Sequence, residues 1–342
     1  MKVSEAKSIA REWVFTSNAN CDNISGAFYH GSVNWTSDEA ILDPGSDLDL
    51  ILVTKQLPPE PTKILHRDII LDISYIHDQD IQNADQVLEK YYLAGDFRND
   101  NIIVDKTSRL SAIQKEVGKE FSKKDRVIGR CESAKANVIN FIRQFDDSSL
   151  LSAQTTSWLF ARGVMTHILL VAGLKNPTVR RRYVDTKNLL SEYDLQDFYE
   201  QVLQIAGFAQ INPQTAKIHL QKLDKAFDLA ASVIKTPYRF AGDIKASTKP
   251  IAIGGSVELI RTGYHRESMF WICATFSRCM DVIIRDATKK DQVEENMDNF
   301  KLLLSDVGIS SPEDFTRSNQ VALNFLSRVW DVAINIIDTR SL

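Results

Sequence analysis

The hydrophobic pattern of the chain changes near residue 78, and this change limits the folds that it can adopt. Before residue 78, a helical pattern over residues 4–15 is followed by apolar runs at 24–29, 47–54 and 68–76, which are typical of strands. After it, apolar residues recur every three to four positions, as in amphipathic helices. The sequence therefore predicts an α/β head with a small mixed β-sheet, followed by a large all-α helical domain.

The length of 342 residues favours two domains. We predict a first domain over residues 1–100 and a helical substrate-binding domain over 101–342. Residues 238–263 are richer in Gly, Lys and Pro, which predicts an ordered loop with a turn at 254–256. The predicted helices after residue 78 cover about 79–94, 107–121, 124–145, 150–173, 180–192, 194–207, 213–235, 264–286, 293–305 and 313–337.

Composition and charge narrow the classes of protein. Hydrophobic residues make up 44% of the chain and charged residues 25%, as in a globular protein. The net charge of -4 disfavours a nucleic-acid substrate. No uncharged apolar run approaches the roughly 18 residues that span a bilayer, and the first residues lack the apolar core of a secretion signal. We therefore expect a cytoplasmic protein without a membrane partner.

The cysteines give no sign of a zinc or redox site. None of the four is paired with another in a CxxC spacing. Buried, reduced thiols are the expected state of such residues in a reducing compartment. They are Cys21, Cys131, Cys273 and Cys279.

Two aspartates stand at the start of the second predicted strand. Because side chains alternate between the faces of a strand, Asp47 and Asp49 point the same way, while Leu48 and Leu50 point to the opposite face. Two carboxylates side by side repel each other, and a hard divalent cation between their oxygens removes that repulsion. Mg²⁺ commonly takes one or two protein carboxylates together with phosphate oxygens, which fits this pair.

A glycine–serine pair follows the first predicted strand. Gly31 would let a phosphate approach the backbone, and Ser32 could donate a hydrogen bond to it. Ser46, directly before the aspartate pair, is a further candidate nucleotide contact. No GxxxxGK[ST] or GxGxxG motif occurs in the chain.

A third carboxylate occurs in the middle of the strand predicted over 68–76. The alternation places Asp72 with Asp68 and Ser74, opposite the apolar side chains of that strand. An ionised group is costly there without a partner. Asp72 could therefore complete a metal site or accept a proton from an attacking hydroxyl.

This order of motifs resembles the nucleotidyltransferase superfamily, which includes DNA polymerase β. The α/β head with a helical body is similar to the bacterial adenylyltransferases that modify aminoglycoside and lincosamide antibiotics. The motif match covers roughly residues 24–76, and the loop between Ser32 and Asp47 is a few residues longer than is usual there. The resemblance implies a nucleotidyltransferase fold.

The resemblance also implies roles for the motif residues. Asp47 and Asp49 would bind Mg²⁺, Gly31 and Ser32 would hold a nucleoside triphosphate, and Asp72 would be a metal ligand or the general base. A substrate hydroxyl would attack the α-phosphorus of ATP and release pyrophosphate. The acceptor implied is a small hydroxylated molecule, such as an antibiotic. Two alternatives remain open: a protein or nucleic-acid acceptor, and a non-catalytic nucleotide-binding protein on the same scaffold.

Weaker candidates lie further along the chain. A basic run opens the helix predicted over 180–192, and Arg182 and Lys187 could neutralise the outer phosphates of the nucleotide. The alternative is a solvated basic face of a helix. His30 could line the phosphate loop or make a structural hydrogen bond.

Overall fold

The computed structural model describes residues 1–17, 22–42, 46–57 and 62–340. Cys21 and part of the loop between Ser32 and Asp47 lie outside the described residues. The chain forms two units, Met1–Ser133 with Leu174–Thr178, and Ala134–Gly173 with Val179–Leu342. No helix of the described residues is long and apolar enough to cross a membrane.

The first unit contains a five-stranded sheet whose order is β3-β4-β2-β1-β5. β2 and β4 are parallel, while the other neighbouring pairs are antiparallel. The predicted small mixed sheet at the N-terminal end and the helical region after it are confirmed. The strands are β1 (Ile24–His30), β2 (Asp47–Thr54), β3 (Thr62–His66), β4 (Ile69–His77) and β5 (Ile102–Asp105).

Helices cover the apolar parts of both faces of this sheet. α1 (Val3–Ser17) packs on the face that carries Leu48, Leu50 and Leu52. α2 (Ala84–Leu88) and α3 (Arg109–Glu120) pack on the other face, against Ile51 and Val53. The alternation of β2 therefore puts Asp47 and Asp49 on the second face. Both lie in the first half of the strand, before the buried residues Ile51 and Val53 of the same face.

The sequence did not predict β3, which forms a hairpin with β4. His66 and Ile69 are paired, so that only Arg67 and Asp68 form the loop, with φ of 45° and 67°. A two-residue loop with positive φ at both positions is usually signalled by Asn-Gly or Asp-Gly. Arg-Asp is not such a signal. The strand that the sequence predicts from residue 68 begins at Ile69 in the structure.

The first unit extends beyond the predicted boundary at residue 100. β5 pairs with β1, and α3 packs on the sheet through Leu110, Ile113 and Val117. The helix predicted over 79–94 is also largely wrong, since only Ala84–Leu88 is α-helical there. The extent of the first unit and the length of α2 both depend on contacts between residues far apart in the chain, which a local sequence pattern does not indicate.

All but one of the remaining helices follow the predicted periodicity closely. Cys131, Cys273 and Cys279 are buried, as expected, and form no disulfide within the described residues. Burial raises the pKa of Cys273 and Cys279. The helices are α4 (Lys124–Arg143), α5 (Leu151–Ala172), α6 (Arg182–Glu192), α7 (Gln196–Ala206), α8 (Pro213–Val233), α9 (Gly255–Arg261), α10 (His265–Asp286), α11 (Lys290–Asp306) and α12 (Pro312–Arg340).

The loop predicted over 238–263 is wrong in its second half. Pro250–Gly254 forms a short π-helix that continues into α9, so the predicted glycine turn is helical. Ile251, Ile253 and Leu259 are buried there. Packing of these side chains outweighs the turn tendency of the two glycines.

Candidate metal centre

A row of four ionisable residues crosses the second face of the sheet. His30 of β1 is paired with Asp49 of β2, and Asp49 is paired with Asp72 of β4. Lys63 of β3 is paired in turn with Asp72. Because paired residues of neighbouring strands share a face, the two carboxylates lie between a histidine and a lysine.

Asp47 joins this row and completes a group of three carboxylates. One oxygen from each of Asp47, Asp49 and Asp72 lies within 4.8 Å of the other two. All three residues are partly buried. Oxygens bound to one Mg²⁺ at about 2.0–2.1 Å lie roughly 3–4 Å apart, so small side-chain rotations would close the group around an ion. The predicted convergence of the three aspartates is confirmed.

The donor set suits a hard divalent cation. Three carboxylates offer only oxygen ligands, which favour Mg²⁺, Mn²⁺ or Ca²⁺ over Zn²⁺. Among the described residues, these aspartates are the one group of His, Cys, Asp or Glu side chains whose geometry could hold a metal ion. The residues therefore fit the ion that the sequence pattern implies.

Asp49 is strained electrostatically by its burial and by its acidic neighbours. Burial raises the pKa of Asp49 well above its ordinary value, and the charges of Asp47 and Asp72 raise it further. His30 and Lys63 oppose this shift. Ionised Asp49 is thus costly in the metal-free protein, and a divalent cation would offset the cost.

Lys63 neutralises part of this charge. Its Nζ lies 2.7 Å from Asp47 Oδ2 and 2.8 Å from Asp72 Oδ2. The side chain of Lys63 is only 13% exposed. This is a bridge between two site carboxylates, shielded from water more than an ordinary surface pair.

Gly31 brings a tight backbone turn against Asp49. Its φ is +68°, and a Cβ at this position would lie 2.6 Å from Asp49 Oδ2. The residue opens a short 3-10 helix, Gly31–Asn34, directly after β1. Glycine is therefore required both by the backbone conformation and by the close carboxylate.

Asp96 holds this turn in place. The carboxylate is 3% exposed and accepts hydrogen bonds from Gly31 N at 3.1 Å and from Asn34 Nδ2 at 2.8 Å. Its other oxygen, Oδ2, contacts His30 Nδ1. One buried side chain thus fixes the end of β1 and the first residues of the turn.

His30 gains its charge from the same contact. Burial disfavours the protonated form of His30. The charge and hydrogen bond of the Asp96 carboxylate, together with the charges of Asp49 and Asp72, outweigh this effect. Together they raise the pKa of His30 to about 9. His30 is therefore a cation at neutral pH, and of its two predicted roles the structural contact is the one observed.

The other predicted nucleotide contacts of the first unit lie beside this group. Ser32 is exposed on the 3-10 helix, and its carbonyl oxygen accepts a hydrogen bond from Thr36 Oγ1 at 2.9 Å. Ser46 is partly buried and directly precedes β2. Both stay candidates for phosphate binding.

The two basic candidates belong to the second unit. Arg182 is 1% exposed, with its guanidinium 4.1 Å from the Phe270 ring centre and its Nε donating to Val179 O at 2.7 Å. Lys187 is 41% exposed, and its Nζ lies 3.9 Å from Glu267 Oε1. Lys187 has the more accessible charge, whereas Arg182 is engaged inside the helical unit.

Sequence reasoning missed Lys63 and Asp96. Lys63 was missed because its strand was not predicted, and Thr-Lys-Ile-Leu-His does not alternate polar and apolar residues. Asp96 lies in a 3-10 helix, Asp96–Arg98, far along the chain from the turn it holds. A single aspartate after a glycine gives no local signal.

Comparison with known proteins leaves the chemistry of the site to be inferred from its residues. No family model matches the chain, and no curated protein matches it.

Substitution of Gly31 by alanine tests the turn. A non-glycine residue at this φ costs about 1–2 kcal/mol, and the added Cβ would push the Asp49 carboxylate away. We expect lower stability on urea unfolding and at least about tenfold weaker Mn²⁺ binding, a loss of roughly 1.4 kcal/mol.

Gly263→Ala is the matched control for this substitution. Gly263 has a φ of +88° with no atom within 4 Å of an added Cβ, so it carries the same backbone cost without the carboxylate contact. Equal Mn²⁺ affinity in the Gly31→Ala variant and the wild type would contradict the role of the turn.

Proposed function

We propose that the chain is a metal-dependent nucleotidyltransferase that transfers AMP, or another nucleoside monophosphate, to a hydroxyl of a small molecule and releases pyrophosphate. The observation that carries the proposal is the convergence of Asp47, Asp49 and Asp72 from neighbouring strands. The positive-φ turn at Gly31 lies against the same group. Carboxylates that converge on one ion beside a backbone turn are the parts that phosphoryl transfer chemistry requires.

Each residue has a role in this reaction. Asp47 and Asp49 would hold Mg²⁺, with Asp72 as third ligand or as base, and the ion would neutralise charge on the phosphates. Gly31 and Ser32 would orient the triphosphate. The acceptor oxygen would form a bond to the α-phosphorus, the bond from that phosphorus to the bridging oxygen of pyrophosphate would break, and the hydroxyl proton would pass to Asp72.

Labelled nucleotide tests this proposal. The protein is incubated with Mg²⁺, α-labelled ATP and a panel of aminoglycosides, lincosamides and simple polyols, and labelled products and pyrophosphate are measured. We expect transfer to at least one acceptor, and Asp72→Asn is expected to lower the rate by about 10²–10⁴-fold, as for loss of a general base. Asp68→Asn is the matched control, because Asp68 lies in the β3–β4 loop with positive φ, which asparagine tolerates.

The same assay separates the alternatives. Label on the protein itself, on an added protein or on RNA would favour a macromolecular acceptor. Nucleotide binding without pyrophosphate release would favour the non-catalytic scaffold. One observation supports this last alternative: the Lys63 ammonium already bridges Asp47 and Asp72. Unchanged transfer by Asp72→Asn would overturn the role of Asp72.

A further inference from the structure

Lys63 contacts two of the three carboxylates that would hold a divalent cation. Its ammonium lies 2.7 Å from Asp47 Oδ2 and 2.8 Å from Asp72 Oδ2, and both side chains belong to the three-carboxylate group. Because Lys63 is paired with Asp72 across β3 and β4, the strand backbone directs the side chain to this position. The register of the β3–β4 hairpin therefore determines the contact between Lys63 and the aspartates.

The charges of the group explain why a cation is needed there. Three carboxylates, Asp47, Asp49 and Asp72, lie close together, and the Lys63 ammonium contacts two of them. Without Lys63, two partly buried aspartates would lose their ammonium partner. An ion pair shielded from water interacts more strongly than an exposed one.

A metal ion and the ammonium would compete for the same two carboxylates. A divalent cation between Asp47 and Asp72 would place two positive charges within a few ångströms of each other, and they would repel. The long, flexible stem of lysine allows its ammonium to move away without a change in the backbone. Entry of the metal must therefore offset the loss of these two contacts.

We propose that Lys63 is a built-in competitor of the metal, which occupies Asp47 and Asp72 in the metal-free protein and lowers the affinity of the site for a divalent cation. The inference rests on the proposed function, since it assigns a regulatory role within the same site. Lys63 holds the carboxylates together before the metal arrives, so the site fills only when the free metal concentration is high. Lys63 is a positioning residue in this role.

Mn²⁺ binding measured by electron paramagnetic resonance tests this role, because free and bound Mn²⁺ give different signals. Lys63→Met is expected to bind Mn²⁺ at least about tenfold more tightly than the wild type, since the competing charge is gone. Lys63→Arg keeps the charge and is expected to stay within about threefold of the wild type. Lys55→Met removes an exposed lysine of the same unit and controls for net charge.

Thermal unfolding gives a second readout that does not depend on activity. Lys63→Met and Lys63→Gln are expected to unfold at lower temperature than the wild type without metal, and to gain more than the wild type from saturating Mn²⁺. A purely structural lysine would lower stability with and without Mn²⁺ by the same amount. That result would overturn the proposal.

The outcomes separate this inference from the proposed function. Equal Mn²⁺ affinity in the wild type and Lys63→Met, or weaker binding in Lys63→Met, would overturn the competitor role and leave the metal site standing. Absence of Mn²⁺ binding in both proteins would overturn the proposed function, and the competitor role with it. Tighter binding in Lys63→Met but not in Lys55→Met supports the inference.

Discussion

Replacement of Asp49 by asparagine is expected to abolish metal-dependent pyrophosphate release and, at the same time, to stabilise the metal-free protein. Asp49 carries an electrostatic penalty, because burial and the charges of Asp47 and Asp72 raise its pKa. Asparagine removes one of three mutually repelling charges and keeps the shape of the side chain. It also removes a ligand from the metal.

The expected magnitudes differ between the two readouts. Loss of an ion that neutralises transferring phosphates is expected to lower the rate at least about 10³-fold. Relief of the charge repulsion is expected to stabilise the metal-free protein by roughly 1 kcal/mol, or about 2–4 °C in Tm. Asp100→Asn, at an exposed position of the same unit, should change neither quantity.

The stabilisation should depend on pH in a defined direction. Because the pKa of Asp49 is raised in the folded state, the contribution of Asp49 to stability is fully present below the ordinary pKa of an aspartate. That contribution is lost as the pH rises through the raised pKa. The difference in unfolding free energy between Asp49→Asn and the wild type should therefore grow with pH. A difference that shrinks as pH rises would contradict this assignment.

Replacement of Asp96 by alanine is expected to give the largest loss of stability in the first unit. The buried carboxylate accepts hydrogen bonds from Gly31 N and Asn34 Nδ2 and pairs with His30. Alanine would leave these donors, one of them charged, without their acceptor, which typically costs about 3–5 kcal/mol. The free energy of unfolding in urea measures this loss.

A conservative variant and a pH series refine this experiment. Asp96→Asn keeps one oxygen acceptor and should lose less than Asp96→Ala. Since the pKa of His30 is raised to about 9, the stability from the His30 pair is fully present below the ordinary histidine pKa. That stability is lost as pH rises through about 9, so the gap between the wild type and Asp96→Ala should narrow there. A gap that is absent at pH 7 would refute the role of Asp96.

Much of the site could be predicted from local patterns, because the period of a strand fixes the face of each side chain. Asp47 and Asp49 point the same way in β2, and Asp72 lies opposite Ile69, Leu71 and Ile73 of β4, as the alternation indicates. The helices after residue 107 were predictable for a similar reason, since their apolar faces repeat over many turns. The short α9 was not, because its two glycines signal a turn.

The partners of these residues depended on contacts between distant parts of the chain. Lys63 reaches the aspartates only because an Arg67–Asp68 loop with positive φ turns β3 back along β4. Asp96 reaches the Gly31 turn from a 3-10 helix that follows α2. Neither position has a local pattern that specifies its neighbour.

The sequence by itself determined which side chains of β2 and β4 share a face and where most of the helices after residue 107 lie, because both follow from repeats along a few neighbouring residues. Only the tertiary structure decided that β2 and β4 are adjacent, parallel and in register, so that Asp49 meets Asp72. It also decided that Lys63 and His30 flank the carboxylates. Strand order and register come from the packing of the whole sheet, and a change of one residue in register would have separated these groups.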